Sequence, residues 1–486
     1  MSMTEYKLFA QRVGLVGITN LIVNLRGLII IPIFTKTLGP DAYGIWSVIM
    51  VTISLLSPMA LLGLTSAMIR FLAAEKDKRK IQEGFYSVIS VVFFAGLVLS
   101  LTVFLLADSF AITILKDISA APLIKIASVV ILLQALDLAS LEFFRAFGRM
   151  KKYSGLMLLQ TFAEVGFVAY FVLSGFGLFG AVVSLIISRG IVLFTGASFI
   201  LKEIGFRLPK FYGLEDYFKF GLPLVPTAML GWITSSSDRY LIGFFSSPQM
   251  VGIYSAAYNI GAIIGFFGAP LQIILFPTIS KLYEEGKEQE MKTYLAYSLK
   301  YFLQFAIPSL FGLCILSKQL LLIMTRPEFV AQGSLVLPIV AVGVLFFGLY
   351  GDIFGWILTV VKRTRLIFVL VSFSALINLF LNMLFIPIYG IIAAAITTFI
   401  AYFILFSLTV YFSRKYIKFG VPYGFIGKSV FASLVMALVL YWVNPAGIFY
   451  VGLMILGCTG VYFSVLILVK GFGEEEIGFL RGIFKI

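Results

Sequence analysis

Arg26 stands in the middle of ITNLIVNLRGLIIIPIFT, an apolar run that carries no acidic residue. A charge at the centre of a bilayer costs about 2.5–3.5 kcal/mol on insertion scales, so such a residue is a functional candidate. It either faces a wet cavity and an anionic ligand, or balances a carboxylate from another helix. Both readings stay open for Arg26. Arg189, Arg239 and Lys300 pose the same choice in later apolar runs. Arg239 follows Asp238 directly, and since neighbours on a helix point about 100° apart, the two need not pair. Arg70, Arg145 and Arg149 lie near the ends of apolar runs, where long cations either anchor at the membrane surface or ring an inner mouth. As a group these side chains suit an anionic ligand only if they face inward, because the midplane charges are mixed in sign.

The intramembrane acids are Asp137, Glu142, Glu164, Asp238 and Asp352. Gln134, Asp137 and Arg145 share one stripe of a helix, as do Gln160 and Glu164, while Ser374, Asn378 and Asn382 recur every four residues. Repeated polar stripes of this kind serve first as inter-helix hydrogen bonds. Glu164 is the charged member, which makes it a candidate for binding a coupling proton or sodium ion, or a partner for Arg26 or Arg189; Asp238 and Asp137 are further candidates. Histidine is absent, and the two cysteines, Cys314 and Cys458, lie in separate apolar runs. Cys/His zinc sites, histidine bases and Ser-His-Asp triads are therefore excluded, and neither a metal nor a cofactor is expected.

These residues must be positioned by helices in lipid. Hydrophobic residues are 60% of the 486 and charged ones 12%, more apolar surface than a soluble core absorbs. The fold class expected is an all-α polytopic membrane protein of about fourteen transmembrane helices. The apolar runs fall near 13–35, 41–63, 84–106, 123–145, 153–174, 178–200, 219–244, 250–276, 293–316, 333–358, 366–387, 391–412, 424–443 and 447–469. Most of the basic residues then collect in alternate loops, around Lys78–Lys80, Arg149–Lys152, Lys202–Lys210, Lys362–Arg365 and Arg414–Lys418, so both termini are expected in the cytoplasm of a multi-pass protein of the cytoplasmic membrane. This placement accounts for the basic excess without nucleic acid. The polar start MSMTEYKLFAQR precedes no small-residue cleavage site, so the first helix is expected to act as its own insertion signal. Loops as short as SGFG, PIYG and NPAG leave no room for an external catalytic domain. In the tail, Ile477, Leu480 and Phe484 have the spacing of an interfacial helix, with a solvated tail as the alternative.

The chain also repeats itself. PDAYGIWS at Pro40–Ser47 matches PQMVGIYS at Pro248–Ser255, and GRMKKYSGLMLLQTFAE with GLFGAVVS matches KRTRLIFVLVSFSALIN with GIIAAAIT at nearly the same offset. The repeat predicts two pseudo-symmetric six-helix lobes, an N-lobe over 1–201 and a C-lobe over 219–413, joined by a cytoplasmic linker at 202–218. A helix pair over 414–470 and a tail at 471–486 lie outside it. Prolines 58, 223, 226, 270, 277, 308 and 338 bend or break helices where rocking lobes would hinge, or are kinks tolerated in a packed bundle.

The segments KTLGPDAYGIWS, GLTSAMIRFLA, DRYLIGFFSSPQMVGIYSAAYNIG and NLFLNMLFIPIYGIIAAAITT resemble the polysaccharide-transporter branch, the Wzx-type flippases, of the multidrug/oligosaccharidyl-lipid/polysaccharide exporter superfamily. The extra helix pair resembles that of the fourteen-helix lipid II flippases. The resemblance implies alternating access for a polyprenyl-pyrophosphate-linked oligosaccharide, with cavity arginines meeting the pyrophosphate. It implies no enzymatic step, membrane lipids as surroundings, and a chain acting as a monomer. Two other readings compete. A drug/cation antiporter of the same superfamily would be expected to carry an acid in helix one, where Arg26 stands. A multi-pass glycosyltransferase or polymerase would need outer-loop acids, and the larger outer loops offer Asp108, Asp117 and Glu328.

Overall fold

The computed structural model describes residues 3–211 and 213–472, with the side chains of 3–13 and Ile273 left aside. The tail positions Ile477, Leu480 and Phe484 lie outside the described residues. The helices, in chain order, are α1 Met3–Thr37, α2 Pro40–Leu61, α3 Leu64–Leu72, α4 Lys78–Phe110, α5 Ala121–Ala146, α6 Met150–Phe171, α7 Gly177–Ile204, α8 Leu214–Gly221 and α9 Leu224–Phe245. They continue with α10 Pro248–Gly261, α11 Ala269–Glu284, α12 Glu288–Ile315, α13 Ser317–Met324, α14 Val330–Leu349, α15 Gly355–Val360, α16 Thr364–Tyr416, α17 Tyr423–Val443 and α18 Ile448–Leu468. The fold is all-helical, as a chain that must satisfy its backbone inside hydrocarbon requires. Among the described residues, 11 helical segments are long and apolar enough to cross a membrane. Two of them, of 55 and 53 residues, are pairs of helices meeting at glycine corners, at Gly175 (φ 87°) and Gly390 (φ 60°). Only glycine enters that region readily, so the short loops SGFG and PIYG turn without leaving helical hydrogen bonding.

The elements depart from the sequence expectation in several places. The run expected as one helix near 219–244 breaks at Leu222–Pro223, because Pro223 and Pro226 lack the N–H groups a continuous ladder needs; α8 and α9 result. The run near 250–276 extends to Glu284, and residues 262–268 inside it wind as a tighter 3₁₀ turn. The run near 84–106 starts at Lys78, where the Asp77 carboxylate accepts from the Arg79 amide at 2.9 Å, and continues through a π-helical turn to Leu115.

The chain forms two compact units, one of residues 1–256 with 371–397 and one of 257–370 with 398–486. In the first, α1 packs along α6, α5 lies between α4 and α7, and α8 docks on α3. The α8 contact is close: a Cβ on Gly63 would lie 2.1 Å from the Gly221 carbonyl oxygen. The same unit brings the two copies of the repeated motif against each other. A Cβ on Gly44 would lie 1.8 Å from the Pro248 carbonyl oxygen, a Cβ on Gly252 would lie 2.0 Å from that of Pro40, and the Ser47 hydroxyl donates to that of Ser255 at 2.7 Å. The contact is reciprocal, as two equivalent helix starts meeting across a local two-fold must be. Small residues are what lets backbones approach this closely in lipid. In the second unit, α12 packs on α17 and α14, and α17 on α18.

Candidate functional site

Four of the singled-out charges come together in the first unit. Arg26 on α1 donates through Nη1 to Oε2 of Glu164 on α6 at 2.7 Å. Glu164 is 1% exposed, whereas 24% of the Arg26 side chain remains open. Arg189 on α7, itself buried, interacts electrostatically with Glu164, with Asp137 on α5 and with Arg26. Asp137 is 1% exposed. Two cations thus face two carboxylates within the span, which is what makes any one of them tolerable there. The cluster is not saturated. Both carboxylate oxygens of Asp137, Oε1 of Glu164 and Nε of Arg189 lack a hydrogen-bond partner among the described residues. Buried polar atoms are rarely left so, and this concentration of unused donors and acceptors is the strongest site signal in the unit. For Arg26 the geometry is that of the ion pair.

Asp238 and Arg239 form a second buried pair on α9. Arg239 Nη1 donates to Asp238 Oδ1 at 2.8 Å and to the Ser235 carbonyl at 2.5 Å, the Tyr254 hydroxyl donates to Asp238 Oδ2, and the guanidinium lies 5.3 Å from the centre of the Tyr254 ring. The 100° between neighbours does not keep them apart, because the long arginine folds back toward its own helix axis.

The remaining cations sit elsewhere. Arg145 pairs with Glu142 one turn back at 2.8 Å. Arg149 and Lys152 both reach Glu203, at 2.8 and 2.5 Å, tying the start of α6 to the end of α7. Arg70 is exposed and lies over the Phe220 ring at 4.5 Å. Lys300, in the second unit, lies 5.1 Å from the Phe425 ring. These placements do not bring Arg70, Arg145 and Arg149 into the buried cluster.

The sequence marked Asn378, Asn382 and Asp352, but not the partners that hold them. Asn382 donates to Asn378 at 3.1 Å and accepts from Thr397, a fully buried chain within the first unit. Its signal was the four-residue spacing; its partner lies beyond the glycine corner at Gly390. In the second unit, Asp352 accepts from Gln272 Nε2 at 2.7 Å, and its other oxygen occupies the space where a Cβ on Gly268 would stand, 1.7 Å away. Asp352 lies in a π-helical turn, Tyr350–Phe354, and Gly268 ends the 3₁₀ turn. Such irregular turns inside membrane helices frequently mark sites.

Comparison with known proteins agrees with this architecture. The sequence profile of the polysaccharide biosynthesis protein family matches residues 9–283, more than half the chain. The chain belongs to that family. The MatE profile matches residues 223–384. Among curated relatives of this family member, a Haloferax volcanii protein named probable low-salt glycan biosynthesis flippase Agl15 is 25% identical over 66% of both chains. A second protein of that organism, named probable flippase AglR, is 27% identical over 52% of this chain and 56% of its own. The matches thus span about two thirds and just over half of the relatives' lengths. Among solved structures, the lipid II flippase MurJ in an inward closed conformation shares the fold with a TM-score of 0.78 at 20% identity, covering 95% of this chain and 98% of its own. An inward-facing multidrug resistance MATE transporter follows at a TM-score of 0.68 and 15% identity, over 82% and 97%.

Proposed function

We propose that this chain is a flippase, moving a polyprenyl-(pyro)phosphate-linked oligosaccharide from the cytoplasmic to the outer leaflet by alternating access of two lobes. The observation that carries this reading is the buried cluster of Arg26, Glu164, Arg189 and Asp137. A phosphate crossing the midplane needs donors there, and the Arg26 side chain is 24% exposed while Arg189 keeps a donor unused among the described residues. The named flippases among the relatives support the same reading. Arg26 and Arg189 meet the head group, with Arg239, Lys300, Arg70, Arg145 and Arg149 as further cationic candidates for contact with it. Glu164 or Asp137, and in the second pair Asp238, takes the coupling proton or sodium ion. The lobes are 1–201 and 219–413 in a chain that crosses about fourteen times in the cytoplasmic membrane with both termini inside. On this plan the Gly44–Gly252 contact is the closed outer gate, since it joins equivalent helix starts of the two lobes. The chain acts without a chemical step and as a monomer.

The MatE match and the MATE neighbour favour drug/cation antiport as the second reading. Reconstituted vesicles decide between them. With a fluorescent polyprenyl-pyrophosphate oligosaccharide in the outer leaflet, the native protein should translocate it, Arg26→Lys should retain partial activity and Arg26→Ala should lose it. A stable, fully active Arg26→Ala protein, or efflux of a cationic dye without movement of the lipid, would overturn the flippase reading.

A further inference from the structure

Independently of what the chain transports, its first unit carries a second, lateral apolar site. A cavity of about 500 Å³ opens between α4, α5 and α7, with Ile89, Phe93, Leu136, Leu193, Ala197 and Phe206 among its walls. Along α4 it runs from Phe85 to Phe94, roughly 10–24 Å of helix rise from Lys78, so it reaches from the helix end into the hydrocarbon depth. Its mouth faces outward: Phe93 is 39%, Phe94 61% and Phe206 69% exposed. Its inner end is built rather than accidental. The chain leaving α7 is pinned across it by the Tyr86 hydroxyl donating to the Gly205 carbonyl at 2.7 Å and by Gln82 donating to the Ile204 carbonyl.

Two features say what fills it. Water is a poor occupant, because only the hydroxyls of Ser90, Ser140 and Tyr86 interrupt the apolar wall, too few to give each water the two to four partners it needs. At about 30 Å³ per water-sized group, the volume takes roughly sixteen methylenes, which is one long hydrocarbon chain. The polar end is cationic. Lys202 directly follows the wall residue Leu201, Arg207 directly follows Phe206, and Lys210 lies three residues on. Against these three cations stands Glu83, 3.2 Å from Arg207 and 3.6 Å from Lys210, while Glu203 beside Lys202 is held by Arg149 and Lys152, so the rim keeps an excess of positive charge. Charge and apolar depth lie in the order in which a membrane lipid presents phosphate and chain.

We propose that this groove holds one chain of an anionic membrane glycerolipid, with the lipid phosphate met by Lys202, Arg207 and Lys210. A bound lipid would brace the end of α7 against α4 where the linker begins.

The test places a reporter in the groove. Phe93→Trp, or Phe94→Trp should the first fold poorly, is reconstituted in vesicles of brominated phosphatidylglycerol or brominated phosphatidylcholine, and quenching is measured against the parent protein, which carries four tryptophans elsewhere. Phosphatidylglycerol should occupy the site at least about fivefold better, the preference expected of one well-placed basic residue near an anionic lipid. Lys202→Gln with Arg207→Gln should bring that preference toward equality, and Ala197→Phe should weaken quenching by both lipids. Equal quenching by the two lipids in the native background, or a preference that survives the double charge substitution, overturns the proposal. Displacement of brominated phosphatidylglycerol by equimolar polyprenyl phosphate would also overturn it, by assigning the groove to the carrier lipid.

Discussion

The reciprocal glycine contact gives a perturbation whose size is set by geometry. In Gly44→Ala the new methyl meets the Pro248 carbonyl oxygen at 1.8 Å, while ordinary contact begins at 3.4 Å, and the obstacle is backbone rather than a side chain that swings away. The starts of α2 and α10 must therefore part by more than an ångström. That separation stretches the 2.7 Å Ser47–Ser255 hydrogen bond beyond use. Forcing an extra methyl into a close-packed contact costs about 1–3 kcal/mol, which corresponds to roughly 5- to 150-fold in an equilibrium between joined and parted forms. The assay pairs Ser47→Cys with Ser255→Cys. In the native background the two thiols should oxidise rapidly to a disulfide that blocks transport until reduced. Adding Gly44→Ala should slow that oxidation and raise labelling of the lone Ser47→Cys thiol by a membrane-impermeant maleimide applied outside. Gly252→Ala should act in the same direction, because its methyl meets Pro40 at 2.0 Å. Unchanged cross-linking and labelling in both alanine variants would refute the reasoning that these glycines hold an outer gate.

Four other perturbations have defined expected outcomes. Arg26→Ala leaves the buried Glu164 without its 2.7 Å partner and should lower thermal stability by about 3–5 kcal/mol, with Glu164→Gln restoring much of it; additive losses in the double variant would argue against the pair. Asn382→Leu removes the buried hydrogen bonds that Asn382 makes with Asn378 and Thr397 and should cost about 1 kcal/mol in detergent unfolding, the usual worth of an inter-helix hydrogen bond in membranes; no loss would refute a stabilising role for these bonds. Gly268→Ala should displace the Asp352 carboxylate from Gln272 and destabilise the protein, and adding Asp352→Ala should relieve the clash; an unrelieved double variant would place the strain in the backbone. Single cysteines at Lys78 and Lys152 should be labelled only from the cytoplasm and one at Gly177 only from outside, and labelling of Lys78 in intact cells would overturn the topology.

What the sequence determined by itself was the helical class set by solvent and the glycine corners set by local backbone rules. The apolar runs demanded helices, since lipid offers nothing else to an amide, and the glycines of SGFG and PIYG marked the corners between them. The repeated motif announced equivalent helix starts. Tertiary structure decided which charges meet. Arg26 and Glu164 are 138 residues apart and Ser47 and Ser255 are 208 apart, so no spacing within a helix could match them. Asp238 and Arg239 show the reverse case: adjacency left pairing undecided, and the flexible arginine stem makes the pair. The 3₁₀ and π turns at 262–268 and 350–354 were also hidden, because AIIGFFG and YGDIF are as compatible with an α-helix as their neighbours. Burying a charge has a cost that depends on what stands opposite it, and what stands opposite is a property of the assembled bundle rather than of any one segment.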